Sequence, residues 1–246
     1  MADRPVALVT GANKGLGKET ARQLLARGMT VVMGSRDAGR GIEAAGDLGA
    51  DGAAVPVRLD VTDPAGVQAV AQRLRRDHGR LDVLVNNAGT VVDRLAAQTT
   101  ADEMRRTYEV NVFGAVTVIH AMLPLLRAAA APRIVNVSST TASLGLTTGG
   151  TDFGGDADRR MAYTSSKTAL NMLTVQYARA FAQDPGLSHI KINAATPGYT
   201  ATDLTGHRGT RTVEEGARII VDLAKAAGAG AGATGGFFND QGRVPW

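Results

Sequence analysis

Tyr163 and Lys167 lie four residues apart in the run Tyr163-Thr164-Ser165-Ser166-Lys167. On a helix that spacing puts both side chains on one face, a turn apart. A phenol alone is a weak acid at neutral pH, with a reference pKa near ~10. An ammonium group ~5 Å away interacts with a phenolate by roughly 3 kcal/mol at an effective dielectric of ~20, which is about 2 pKa units in favour of the phenolate. Such a pair makes a tyrosine able to give or take a proton near physiological pH. Helices also carry Tyr and Lys at this spacing by chance, as a half-buried ring and a solvated cation. The pair acquires meaning from the elements around it.

Those elements alternate. PVALVT reads as a short buried strand between Pro5 and Gly11, followed by TGANKGLG and a helical pattern through Leu25. Strand, glycine loop and helix together place backbone N–H groups and a helix N-terminus against a phosphate. The spacing Gly11-xxx-Gly15-x-Gly17 differs from the commonest dinucleotide fingerprint. A second strand over 30–33 ends in Gly34-Ser35-Arg36. At that strand end an acidic residue favours a free ribose 2′-hydroxyl, whereas a cation accommodates a 2′-phosphate. Arg36 and Lys14 are two cations able to converge on one phosphate. The adjacent Asp37 offers an alternative, a surface pair that neutralises Arg36.

Residues 40–50 read as a Gly- and Ala-rich helix, and 55–59 as a third strand ending at Asp60. Asp63 and Pro64 then supply a capping side chain and a proline at the first position of a helix that runs to residue 78. The unbroken apolar run 81–85 suits a parallel strand covered on both faces, and it ends in Asn86-Asn87-Ala88-Gly89. Thr100 and Glu103 form a capping-box pattern before a long helix through Tyr108, Asn111 and His120 to residue 126, with Pro124 near its end. Asn111 sits between Val110 and Val112, and if buried it must hydrogen-bond something. A fifth strand over 133–137 ends in Ser138-Ser139. A Gly- and Thr-rich loop with Asp152, Asp156 and Asp158 follows, and then the Tyr163 helix to residue 181. A sixth strand over 190–194 ends in Thr196-Pro197-Gly198, Thr212 and Glu215 cap the last helix, and 236–238 is a short seventh strand.

This alternation predicts an α/β fold: a doubly wound parallel sheet of about seven strands with helices on both faces, in a single domain over 1–246. The site of such a sheet lies at the carboxyl ends of its strands, where the residues singled out above fall. Composition agrees. A chain of 246 residues with 44% hydrophobic content can bury a sizeable core. With no cysteine, disulfides, Cys-based zinc sites and Cys nucleophiles are excluded, and a reducing compartment fits. The net charge of +4 comes from scattered pairs (Arg75-Arg76, Arg105-Arg106, Arg159-Arg160) rather than a basic stripe, so no nucleic-acid partner is expected. No signal-peptide core and no run long enough to span a bilayer is read, so no membrane partner and a cytoplasmic location are expected. His78, His120, His189 and His207 show no metal-ligand spacing, Glu214-Glu215 reads as a helix start, and no G-x-S-x-G elbow occurs.

In the order and spacing of TGANKGLG, LDVTD, NNAG, NVFG, IVNVSS, YTSSK and PGYTATDL, the chain resembles the short-chain dehydrogenase/reductase family over essentially its whole length. The glycine motif, the Ser35-Arg36 tip and the tail GFFNDQGRVPW are most similar to its carbonyl-reductase-like branch. The resemblance implies an oxidoreductase that reduces a small-molecule ketone, aldehyde or quinone-type carbonyl, with NADPH/NADP+ expected in preference to NADH. The alternative is a regulator or scaffold with the same fold and no turnover. The resemblance implies that Tyr163 is the general acid in reduction and that Lys167 lowers its pKa and holds the nicotinamide ribose. Ser139 would bind the substrate carbonyl and Asn111 a relay water. Asp60 would meet the adenine, with Val61 beside it. Gly11, Asn13, Lys14, Gly15, Leu16, Gly17, Ser35, Arg36, Asn87, Ala88, Gly89, Pro197, Gly198, Thr200 and Thr202 complete the cofactor set. Two features depart from the family pattern. The stretch between Ser139 and Tyr163 is about twice the usual length and is expected to border the substrate pocket, and 204–212 is short for a substrate lid, so an open cleft is expected. The Tyr163 helix is apolar on much of its circumference, at Leu170, Met172, Leu173, Val175 and Phe181. Its burial lies either inside the domain or in a homo-oligomer formed through the Asn111 and Tyr163 helices.

Overall fold

The structure, a computed structural model, describes residues 4–49, 52–151, 153, 159–225 and 232–246. Asp152, Asp156 and Asp158 of the long loop lie outside the described residues. Among the described residues eight strands form one sheet: β1 (Val6–Thr10), β2 (Thr30–Ser35), β3 (Ala54–Arg58), β4 (Val83–Asn86), β5 (Arg133–Val137), β6 (Lys191–Ala195), β7 (Phe237–Asn239) and β8 (Gly242–Arg243). Their order is β3-β2-β1-β4-β5-β6-β7-β8. All neighbours pair in parallel except β8, which turns back antiparallel on β7. β8 has two residues, too few to show an alternation, and sequence reading passes over it.

The central strands are buried on both faces, and their alternate residues serve opposite layers. Val6 and Leu8 of β1 face a core completed by α3 (Pro64–His78), α5 (Gly114–Arg127) and α7 (Met161–Gln183). Ala7 and Val9 face the other core, built with α1 (Gly15–Leu25), α2 (Ala38–Gly46) and α8 (Val213–Ala224). From β1 the chain builds outward through β2 to β3, then crosses back to place β4 on the opposite side of β1. That reversal opens a crevice above the ends of β1 and β4.

Helix starts divide into two kinds. Thr100 and Thr212 form the capping boxes their spacing predicts, opening α4 (Ala101–Tyr108) and α8. Asp63 makes no side-chain cap, contrary to expectation. Pro64 has no N–H to satisfy, so α3 starts on the proline instead. Between α4 and α5 the helix widens to a π turn, Glu109–Phe113, with Asn111 inside it. Helix 101–127 is thus continuous, and by length and composition it is apolar enough to cross a bilayer, which the sequence reading did not find. Half of that apolar window is buried against the rest of the fold, as in the core helix of a folded domain. The start of the 140–160 segment, read as loop, contains a turn at Thr140–Ala142 and a short helix α6 (Leu144–Thr148). Ser143 caps α6 through the Leu146 N–H (3.1 Å), and Gly145 N donates to Trp246 O (2.8 Å). On α7 the buried stripe is Leu170, Asn171, Thr174, Ala178 and Phe181, while Met172 is exposed, as is Phe113 in the π turn.

Candidate active site

A cavity of about 880 Å³ opens at the carboxyl ends of the strands. Every site residue picked from the sequence lines it except Asn111. Its two ends are built differently.

At the first end, β1 passes into the glycine loop. A Cβ on Gly17 would lie 2.3 Å from the Gly11 carbonyl oxygen, so only glycine lets α1 start this close to β1. Asn87 secures the loop: its Nδ2 donates to Thr10 O (2.9 Å) and Gly11 O (3.1 Å). Thr10 Oγ1 in turn accepts from the Asn87 and Ala88 N–H groups at 3.0 and 2.9 Å. No side chain caps α1, which leaves its first N–H groups for an anion in the crevice. At the tip of β2, Arg36 is exposed on the cavity wall. Asp37 does not neutralise it. Its carboxylate accepts from the Arg40 N–H (3.0 Å) and faces the Arg40 side chain (3.8 Å), which caps α2. The Ser35 hydroxyl is turned inward to Asp37 O (2.7 Å). Burial pushes the Asp60 carboxyl up, but hydrogen bonds from Thr62 and the charges of Arg36 and Arg58 outweigh it and hold Asp60 below the usual range.

Lys14 and the 204–212 segment differ from expectation. Lys14 reaches across the cleft to Asp203, an exposed ion pair, and Asp203 also meets His207 Nε2 at 2.8 Å. The short segment is therefore not simply an open edge. It folds back through the Ala201 N–H to Arg211 O (2.9 Å) and Arg211 N–H to Tyr199 O (3.0 Å) bonds and is tied to the glycine loop. Thr200 Oγ1 donates to Pro197 O and Gly198 O (3.2 and 3.3 Å), so the strand-end turn is internally braced.

At the second end the side chains are buried. Lys167 Nζ lies 5.8 Å from the Tyr163 ring centre and donates to Val137 O at 2.8 Å. Burial with a single hydrogen bond shown at its ammonium lowers the Lys167 pKa to about 8. Burial pushes the Tyr163 phenol up, and the Ser139 hydroxyl and the Arg160 charge pull against it. Proximity to Lys167 is thus not the whole account of Tyr163, because desolvation acts on both groups. Asn111 lies behind this wall. Its Oδ1 accepts from Thr90 N (2.8 Å), and its Nδ2 donates to Thr90 O and to Ser166 Oγ, both at 2.9 Å. Ser166 Oγ donates onward to Tyr163 O at 2.6 Å. The Asn111 side chain thereby ties the loop after β4 to the Tyr163 helix. Its Oδ1 and Lys167 Nζ flank Gly89, 3.4 and 3.5 Å from where a Cβ would stand.

Several lining residues carried no motif signal: Thr141, Phe153 and Arg160. Only proximity could have marked two of them, Thr141 two positions after Ser139 and Arg160 three before Tyr163.

The cavity therefore joins a cradle for a phosphate-bearing ligand to a buried phenol and ammonium and a half-buried hydroxyl. The glycine-only approach at Gly17 and the uncapped start of α1 fit a dinucleotide. The sequence model of short chain dehydrogenases matches residues 5–213. The chain belongs to the short-chain dehydrogenase/reductase family. Members are NAD(P)-dependent oxidoreductases, and the fold is theirs. The chain is 35% identical to short-chain dehydrogenase/reductase 1 of Saponaria officinalis, with 91% of each chain covered. It is 32% identical to carbonyl reductase [NADPH] 1 of Rattus norvegicus, covering 100% of this chain and 99% of that one. The structure of salutaridine reductase from Papaver somniferum superposes with a TM-score of 0.81 at 28% identity, covering 96% of this chain and 100% of that one.

Proposed function

We propose that this short-chain dehydrogenase/reductase reduces a ketone, aldehyde or quinone-type carbonyl to an alcohol with NADPH. The observation that carries the reading is the union, in one cavity, of the glycine cradle and Arg36 with half-buried Ser139 and buried Tyr163 and Lys167. The likeness to a reductase named for NADPH supports the same cofactor. When bound, NADPH supplies the hydride. Arg36, free of Asp37, receives the 2′-phosphate, and Asp60 the adenine side. Gly11, Asn13, Gly15, Leu16 and Gly17 line the pyrophosphate's path, with Thr200 and Thr202 opposite. Ser139 orients the carbonyl oxygen and Tyr163 delivers a proton to it. Lys167, poorly solvated where it lies, gains partners in the ribose hydroxyls. Asn111 fixes the wall from which Lys167 is resupplied with protons through a bound water. We further propose that the chain works as one domain in the cytoplasm, with exposed Phe113 and Met172 offering the two helices to a second copy.

Tyr163→Phe removes only the phenolic hydroxyl. Turnover of a carbonyl panel, followed by NADPH absorbance, should fall about 10³-fold with NADPH binding retained. Unchanged turnover would overturn the mechanism. Tight NADPH binding without turnover of any carbonyl by the parent chain would favour a regulator.

A further inference from the structure

We propose that Thr141 is a positioning residue: held by Thr164, its hydroxyl donates to Ser139 and so directs the Ser139 proton toward the reacting oxygen beside Tyr163. The inference rests on the reductase reading and deepens it. Ser139 opens the turn Thr140–Ala142, and its Oγ accepts from the Thr141 N–H at 3.3 Å. Ser139 Oγ and Thr141 Oγ1 stand 3.0 Å apart, and Thr164 Oγ1 donates to Thr141 Oγ1 at 3.3 Å. Thr164 is the residue after Tyr163 on α7, and Thr168, one turn on, donates to Ala142 O at 3.1 Å. The turn carrying Ser139 is therefore braced against the helix carrying Tyr163 at more than one point.

The direction follows from counting protons. A hydroxyl has one proton and two acceptor sites. Thr141 receives the Thr164 proton, so its own proton needs an acceptor, and Ser139 Oγ is the neighbour in reach. Ser139 then accepts twice, from the Thr141 N–H and the Thr141 hydroxyl. Its single proton is left for the cavity, where the Tyr163 phenol and a substrate carbonyl would stand. The opposite direction would spend the Ser139 proton on Thr141 and turn a lone pair toward the carbonyl, the wrong polarity for orienting an acceptor.

Thr141→Val removes the hydroxyl and keeps the shape, whereas Thr141→Ser keeps the hydroxyl. With a substrate found in the carbonyl panel, Thr141→Val should lower kcat about 3- to 10-fold, the worth of one neutral hydrogen bond, with NADPH affinity unchanged. Thr141→Ser should recover most of the loss. In a Ser139→Ala background Thr141→Val should cost nothing further. An equal cost in both backgrounds, or a Ser variant as poor as Val, would overturn the proposal. A second measurement needs no turnover. Neutron diffraction from the perdeuterated protein should find the Thr141 deuteron on the line to Ser139 Oγ and the Ser139 deuteron pointing into the cavity. A Ser139 deuteron aimed at Thr141 would refute the relay. A chain that turns over no carbonyl would sink the functional reading, and the deuteron positions would still decide the relay.

Discussion

The two ends of the cleft hold charge in opposite ways. At the adenosine end Lys14, Arg36, Asp37 and Asp203 are exposed, and the Lys14–Asp203 and Arg40–Asp37 ion pairs are in contact with water. At the reacting end Lys167 is 4% exposed, close to a phenol that is 9% exposed. The same elementary charge thus does different work. In water it adjusts affinity and selectivity by small amounts and is screened by salt. Out of water it changes which protonation state exists at all. Substitutions at the two ends should accordingly separate: chemistry and pH response from one, cofactor choice and salt response from the other.

The largest contrast is expected at Lys167. Its pKa is about 8 in the folded cofactor-free protein against 10.5 for the free side chain. Between those values the unfolded chain binds more protons, so stability rises with pH across the window. Below it, the buried ammonium costs about 3 kcal/mol. Lys167→Met should therefore raise the melting temperature of the cofactor-free protein at pH 7 while lowering kcat by two orders of magnitude or more, roughly the span of a lost acid–base partner. From pH 7.5 to 9.5 the parent should gain about 2 kcal/mol on the variant in urea unfolding. Parallel pH curves for the two proteins would mean that Lys167 is solvated in the folded protein.

Arg36 tests the other end. With Asp37 engaged by Arg40, Arg36→Ala should weaken NADPH about tenfold, the low end for a charge-assisted bond at an exposed site, and leave NADH within twofold. Isothermal titration with both cofactors reads the difference directly. Equal losses would remove the 2′-phosphate from its role.

What could be read from the sequence divides along similar lines. β1 through β7 and the two Thr capping boxes were legible because each rests on local pattern: short apolar runs, or one side chain three positions from another. The motif residues were legible as a group because a doubly wound sheet collects strand ends at one place. Pairing across the chain was not legible. Lys14 meets Asp203, 189 positions away, and nothing local marks either as a partner. The π turn at Asn111 was hidden for a related reason: an extra residue in a helical turn leaves the apolar pattern nearly intact. The burial of Tyr163 was not legible, because spacing measures proximity to Lys167 and says nothing of the desolvation that pushes the phenol up.

The smallest effect belongs to the pair that sequence could not find. Lys14 holds the Asp203 carboxyl below its usual range, first by hydrogen bonding and then by charge. Both side chains are more than half exposed, so the pair itself contributes little to stability. Its effect lies in what it occupies. While Lys14 is neutralised, the mouth of the cradle presents one positive charge fewer to an incoming polyanion. Asp203→Asn frees that charge and leaves the Asp203 backbone turn in place. NADPH association should then quicken about twofold at low salt, and the gain should disappear near 0.5 M salt, where the screening length is only a few ångströms. Stopped-flow fluorescence at two ionic strengths separates this from a change in the bound state. A salt-independent gain would mean that the tie between glycine loop and 203–211 segment acts as a steric latch, and that the exposed end of the cleft controls access by shape as well as by charge.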